Sequence, residues 1–389
     1  MKSESMRKSW SMPMEERTRP KKLLLVANVV KEHVLKFHVP TIRALKARGW
    51  TVDVAASGEE DVPYCDRQIR GVWKRSPFTP DTLRGVRQLR RLLEEEHYDI
   101  VYCHTPVGAL VARLAAISAR RRGTKVVYFA HGFHFFTGAP LVNWLLFFPI
   151  EWILAHVTDL LITLTDEDEA RARRLFPKRL PVVRVPGAGV DFSRLEVADA
   201  AAARKRLRSE WGIPQDALVL IYVAELIRNK NQKMLFEALQ KIKETHPDTY
   251  LVLVGPDHAD GSFQRLAQQM GVADSVVFTL WRSDVGACLR AADIAVASSL
   301  REGLALNIVE AMYCGLPVVA TDNRGHVPII RDGENGFLVH IGDSEAMARR
   351  VIEIADDPRL RERLAHQDVS CYSAEAVSAQ LCDILSEVE

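Results

Sequence analysis

The 389-residue chain carries 52 Lys and Arg against 50 Asp and Glu, a formal charge of +2, and is 48% hydrophobic with 21 Gly and 18 Pro. This composition excludes a disordered, collagen-like or low-complexity chain, and the length predicts two domains at roughly 100–200 residues each. The near-neutral total conceals a division: residues 1–190 hold 31 basic and 20 acidic side chains (+11), the rest 21 and 30 (−9). The first half is therefore expected to face an anionic surface or ligand.

Residues 1–20 mix charges with Ser and Met, lack the apolar core of a signal peptide, and read as a flexible tail. From residue 22 short apolar runs alternate with helical patterns. Runs at 23–27, 52–55, 99–102, 125–129 and 160–162 are separated by helical stretches at 38–48, 84–96 and 107–121. This rhythm predicts βαβ units and a parallel sheet covered on both faces. It stops at the Gly/Pro-rich stretch 186–191, a natural hinge. It resumes with apolar runs at 218–223, 250–255, 276–278, 294–296 and 317–320. The fold class is α/β, with two Rossmann-like domains facing each other across a cleft: residues 21–190, completed by a C-terminal helix at 372–389, and residues 191–371. Ligands of such sheets bind outside the carboxyl ends of the strands, which places the site between the domains.

Six cysteines (Cys65, Cys103, Cys288, Cys314, Cys371 and Cys382) form no C-x-x-C pair. They fit reduced thiols in a cytoplasmic protein rather than a disulfide framework or a zinc site. The apolar stretch 139–155 is interrupted by Pro140, Asn143, Pro149 and Glu151. It falls short of the ~20 residues that span a bilayer. Its Trp144, Phe147, Phe148 and Trp152 lie in the same half as two basic groups, Arg84, Arg87, Arg90 and Arg91, and Arg171, Arg173, Arg174, Lys178 and Arg179. Together they suit a peripheral protein on anionic lipid. No recognisable nucleic-acid module accompanies the basic groups.

The most specific segment is 298–320. It reads as a strand end, a helix beginning near Gly303, a stop at Gly315 and a further strand. Free amides at Gly303, Leu304 and Ala305 would form an anion site at the helix start. Glu302 lies just before that start and Glu310 eight residues later. Two carboxylates flanking an anion site suit a sugar nucleotide, with hydroxyls at both ends and a diphosphate between. Residues 223–231 form a strand followed by a polar loop with Arg228 and Lys230. His131 and His134 follow the strand at 125–129, where a neutral imidazole can hydrogen-bond sugar hydroxyls or a leaving phosphate. His104 ends the preceding strand and is placed in the acceptor pocket. A metal pair with Cys103 is rejected, because neighbouring side chains on a strand point apart.

Two patterns are declined. Asp166-Glu167-Asp168 follows Thr165, a probable N-cap by its residue type, so its acids belong to a first helical turn rather than to a metal motif. The first strand ends without G-x-G-x-x-G, which argues against a dinucleotide oxidoreductase.

The 298–320 segment resembles the E-x7-E signature of the retaining family 4 glycosyltransferases of GT-B fold. The resemblance extends through residues 37–40, 103–106 and 131–135 and the Lys230 loop, and is closest to bacterial enzymes acting on undecaprenyl-diphosphate-linked sugars. It implies that Glu302 contacts the donor hexose, Glu310 the ribose, His131 the reacting centre, and Lys230 the donor diphosphate. It further implies a UDP-sugar donor, in the first instance of an N-acetylhexosamine, a lipid-linked acceptor near His104 and His134, and a location on the inner face of the cytoplasmic membrane. No cofactor and no metal are expected. The family's loop Arg is replaced by Glu225 and its first Gly by Ala224, so Arg228 is assigned the missing charge; Ala305 stands where many members carry Pro. A non-hydrolysing UDP-N-acetylglucosamine 2-epimerase and a non-catalytic nucleotide-sugar binding protein remain as alternatives.

Overall fold

The computed structural model describes residues 19–74 and 79–388; most of the tail expected at residues 1–20 lies outside them. The first sheet contains β1 (Lys22–Val29), β2 (Thr51–Ser57), β3 (Arg67–Arg70), β4 (Ile100–His104), β5 (Lys125–Phe129), β6 (Leu160–Thr163) and β7 (Val182–Arg184). Their order is β3-β2-β1-β4-β5-β6-β7, and every pairing is parallel. The second sheet contains β8 (Leu218–Val223), β9 (Thr249–Val254), β10 (Val276–Leu280), β11 (Ile294–Ala297), β12 (Val318–Thr321) and β13 (Phe337–Val339). It is ordered β10-β9-β8-β11-β12-β13, again all parallel.

The central strands are buried on both faces, so they read as continuous apolar runs rather than alternating ones. Leu23 to Ala27 are each fully buried, and Leu23 to Val26 stand in register with Ile100 to Cys103. In each sheet the strand order reverses once, at β1/β4 and at β8/β11. The loops diverge there and leave a crevice at the carboxyl ends.

The chain crosses between the sheets twice, side by side. Val190 forms a parallel bridge with Ser373, with Val190 N donating to Tyr372 O and Ala374 N to Val190 O, each at 2.8 Å. Gly189 makes this possible: its φ is +85°, and a Cβ there would lie 2.6 Å from the Ala374 Cα. The helix Ala374–Ser386 then packs back on the first sheet, burying Val377, Leu381, Cys382 and Leu385 in its core.

The apolar stretch at 139–155 forms one helix, Leu141–Ala155, with Pro149 inside it. No described helix is long and apolar enough to cross a membrane. Its orientation corrects one reading of the sequence. Trp144, Phe147 and Phe148 pack on the core, whereas Leu141, Val142, Leu145, Leu146, Trp152 and Ile153 are exposed. Glu151 sets this rotation: it is buried and ion-paired to buried Arg113 at 2.8 Å. Arg113 in turn stacks on Tyr128 at 4.1 Å.

Candidate active site

The second sheet's crevice is built from two loops that hold each other. Beyond β8 the chain makes a 3-10 turn, Arg228–Lys230; beyond β11 runs the loop at 298–305. Leu300 N donates to Asn229 O at 2.8 Å, Asn229 Nδ2 to Arg301 O at 2.8 Å, and Ser298 Oγ to Lys230 O at 2.8 Å. These bonds deliver Lys230 Nζ to Glu302 Oε1 at 2.5 Å, and Ser299 Oγ donates to the same oxygen at 2.6 Å. Behind them, Tyr222 OH lies 2.6 Å from Ser299 Oγ. Lys230 and Glu302 are both partly buried, so a fixed ammonium and a fixed carboxylate share the crevice mouth. Arg228 and Glu225 lie on the same loop, exposed, with no hydrogen bond or ion pair to either side chain among the described residues.

The helix after Glu302 begins later than the sequence suggests. It spans Leu306–Tyr313, with Ala305 at the N-cap. The Ala305 amide donates to Gly325 O at 3.2 Å, so it is not available to an anion, and Leu306 N turns back to Leu304 O at 3.1 Å. Gly303, in a bend, and Leu304 therefore precede the helix rather than form its first turn. Ala305 at the N-cap has no side-chain acceptor for the first amides. Glu310 is buried within the helix and pairs with the exposed Arg194 from the segment after the hinge.

On the first sheet, β1 runs into a π-helical turn, Val30–Val34, that presents His33; such turns are enriched at functional sites. His38 precedes the helix Val39–Ala47, His104 ends β4 and His131 follows β5. His104 is fully buried, with its Nδ1 3.2 Å from His131 Nε2. It lies behind the pocket wall and does not line the pocket, contrary to its assignment from the sequence. His134 does line a pocket of about 440 Å³, together with Asn28, His33, Thr105, Phe147 and Glu151. Thr105 has φ +62°, an uncommon and costly conformation for a β-branched residue.

The two crevices meet directly. A Cβ on Gly303 would lie 3.0 Å from the His131 carbonyl oxygen, so a larger residue there would push these segments a few tenths of an ångström apart. Arg301 stacks on Phe136 of the first domain at 4.6 Å. Arg324 crosses the cleft to Asp168 and to Glu167, the latter at 3.3 Å, and its Nη2 donates to Thr165 Oγ1 at 3.1 Å. Thr165 caps the helix Asp166–Leu175 by accepting from Asp168 N, so the acidic triplet does occupy a first helical turn. Burial pushes the Asp168 carboxyl above its ordinary pKa against the opposing pull of Arg324. A cleft of about 410 Å³ opens beside this contact, lined by Phe136, Glu167, Arg301 and Arg324 among others. Sequence reading singled out neither Arg324 nor Arg194, because their partners lie 156 and 116 residues away.

Two parallel sheets that present their switch-point crevices to one another define the GT-B architecture. Residues 22–164 match the glycosyl transferase 4-like family model, and residues 203–368 match that of the glycosyl transferases group 1. EpsD of Bacillus subtilis (strain 168), provisionally named a glycosyltransferase, is 45% identical over 347 residues, 89% of this chain and 91% of its own. The Escherichia coli UDP-Gal:alpha-D-GlcNAc-diphosphoundecaprenol alpha-1,3-galactosyltransferase is 28% identical over 285 residues, 71% of each chain. The crystal structure of Anabaena HepE in complex with UDP superposes with a TM-score of 0.76 at 20% identity, covering 94% of this chain and 99% of that one. The chain belongs to the family 4 glycosyltransferases.

Proposed function

We propose that this protein transfers a hexose, an N-acetylhexosamine in the first instance, from a UDP-sugar to a polyprenyl-diphosphate-linked saccharide, with retention at the anomeric carbon. The observation that carries the reading is the Lys230–Glu302 pair, fixed where the loop at 298–305 meets the His131 backbone. Entry of a diphosphate would draw the Lys230 ammonium from Glu302 and free that carboxylate to accept hexose hydroxyls. Glu310, released from Arg194, would accept the ribose hydroxyls. Arg228, exposed and unengaged, would approach the diphosphate from solvent.

We assign no covalent nucleophile. The acceptor hydroxyl attacks from the face the nucleotide leaves, and its proton passes to the departing phosphate oxygen. Lys230 stabilises the charge that develops there. The contacts of Arg301 and Arg324 hold the two domains together across the cleft. This route draws on no metal.

The acceptor side is supported by the pocket holding His33 and His134, whose wall is the Leu141–Ala155 helix. The same helix exposes aliphatic side chains, and Arg84, Arg87, Arg90, Arg91, Lys178 and Arg179 are exposed on the same domain. An inner-leaflet anionic membrane would take both surfaces, and exopolysaccharide, capsule or glycan assembly is the process such a reaction serves. A panel of UDP-sugars incubated with short undecaprenyl-diphosphate glycans and read by mass spectrometry tests the proposal. Addition of one hexose mass to the lipid-linked glycan is expected. Interconversion of free UDP-sugars without acceptor would indicate the 2-epimerase, and donor binding without turnover across the panel a binding protein.

A further inference from the structure

The crevice of the first sheet gathers four imidazoles from separate parts of the chain. His33 lies in the π-helical turn after β1, His38 before the next helix, His104 at the end of β4 and His131 just after β5. One ring nitrogen from each lies within 4.8 Å of those of the other three. His33 Nε2 is 3.0 Å from His38 Nε2, and His104 Nδ1 is 3.2 Å from His131 Nε2.

Hydrogen bonding among the four leaves the group incomplete. Each neutral imidazole has one donor and one acceptor. The two nitrogen–nitrogen contacts therefore leave the second nitrogen of every ring to find another partner. His38 and His104 are 1% and 0% exposed, yet His38 Nδ1 and His104 Nε2 have none. An unsatisfied buried polar atom costs about 1–3 kcal/mol, and the cluster carries two.

We propose that His33, His38, His104 and His131 bind one divalent transition-metal ion of the zinc class at the switch point of the first sheet. A tetrahedral site with Zn–N of about 2.0–2.1 Å has nitrogens about 3.3–3.4 Å apart. The two closest contacts are already near that edge length, and the remaining nitrogens need shifts of about an ångström. Neutral imidazole is the commonest metal ligand among side chains. An all-imidazole set favours zinc, copper or nickel over magnesium or calcium, which take oxygen ligands. The ion is thus distinct from the oxygen-ligated kind that accompanies a diphosphate, and it departs from the expectation of a metal-free protein.

The ion would tie together the segments after β1, β4 and β5. His33 is also part of the pocket wall beside His134, and the His131 carbonyl is the contact for Gly303. The four histidines would then act as positioning residues for the acceptor pocket and the domain contact. Ligation through one nitrogen of His131 leaves its other nitrogen for a sugar hydroxyl.

The test uses the untagged full chain, stripped with a chelator and titrated with Co²⁺, whose tetrahedral complexes absorb strongly in the visible. One equivalent is expected to produce the band, and one equivalent of Zn²⁺ to abolish it and raise the melting temperature. The His38→Asn/His104→Asn double variant is expected to lose the band, while His134→Asn, outside the cluster, keeps it. UDP binding by each variant reports that it is folded. No stoichiometric uptake by the wild-type chain, or equal uptake by a folded double variant, overturns the proposal.

Discussion

The two crevices that face each other in this molecule are built on the same topology with opposite chemistry. Beyond β8 and β11, charges are present and paired: Lys230 with Glu302, and Arg194 with Glu310. Beyond β1 and β4 stand neutral imidazoles and a pocket bounded by an apolar helix. A paired crevice keeps its charges compensated until a ligand enters, and a diphosphate can replace Glu302 as the partner of Lys230. On the proposed reading the charged crevice takes the donor and the neutral one the acceptor, so that one α/β scaffold is used twice for different ligands.

The charged crevice is broken most severely by Lys230→Ala, which leaves Glu302 half-buried without its cation and removes the stabiliser of the leaving group. Turnover is expected to fall by about 100-fold or more, measured as kcat with donor and acceptor saturating; Glu225→Ala on the same loop is expected to leave it near wild type. Next in size is Arg324→Ala, which strands fully buried Asp168 across the cleft. A loss of about 3 kcal/mol in stability is expected by denaturant unfolding, with partial recovery on adding Asp168→Asn. Glu310→Ala should raise the donor KM roughly tenfold and change kcat less, in keeping with the loss of hydrogen bonds to a charged group. Unchanged donor affinity, read by calorimetry with UDP, would contradict the ribose assignment.

Smaller effects sharpen the comparison. His326 is buried behind Glu302 and hydrogen-bonded around Thr321 and Asn323. Burial lowers its pKa from 6.5 to about 4, against the raising effect of the Thr321 carbonyl. The unfolded chain therefore takes up this proton first, so the contribution to stability is complete above pH 6.5 and is lost as pH falls towards 4. Melting temperatures from pH 7 to 5 should fall less steeply for His326→Gln than for the wild type. Leu145→Glu, at a position 75% exposed, should leave melting unchanged but reduce co-sedimentation with anionic vesicles several-fold.

The βαβ rhythm was legible because central parallel strands are buried on both faces and must be apolar. The edge strands β3, β7 and β13 escaped it: they are short, and β3 reads Arg67-Gln68-Ile69-Arg70. That Glu302 and Lys230 follow strand ends and Glu310 lies on a helix was legible locally, whereas their roles came from the family resemblance rather than from spacing alone. The start of that helix was not, because the bond from Ala305 to Gly325 joins residues from different loops. The outward face of the Leu141–Ala155 helix was misread for a similar reason. Its rotation depends on Arg113, 38 residues earlier in the chain. His33 attracted no notice at all, since nothing in its local sequence marks it, and its three companions converge only through the sheet.

The most direct measurement is the anomeric configuration of the lipid-linked product, read by proton NMR after transfer from an α-configured UDP-sugar. The account predicts an α linkage formed by the wild-type chain and lost with Lys230→Ala. A β linkage from the same donor would contradict it.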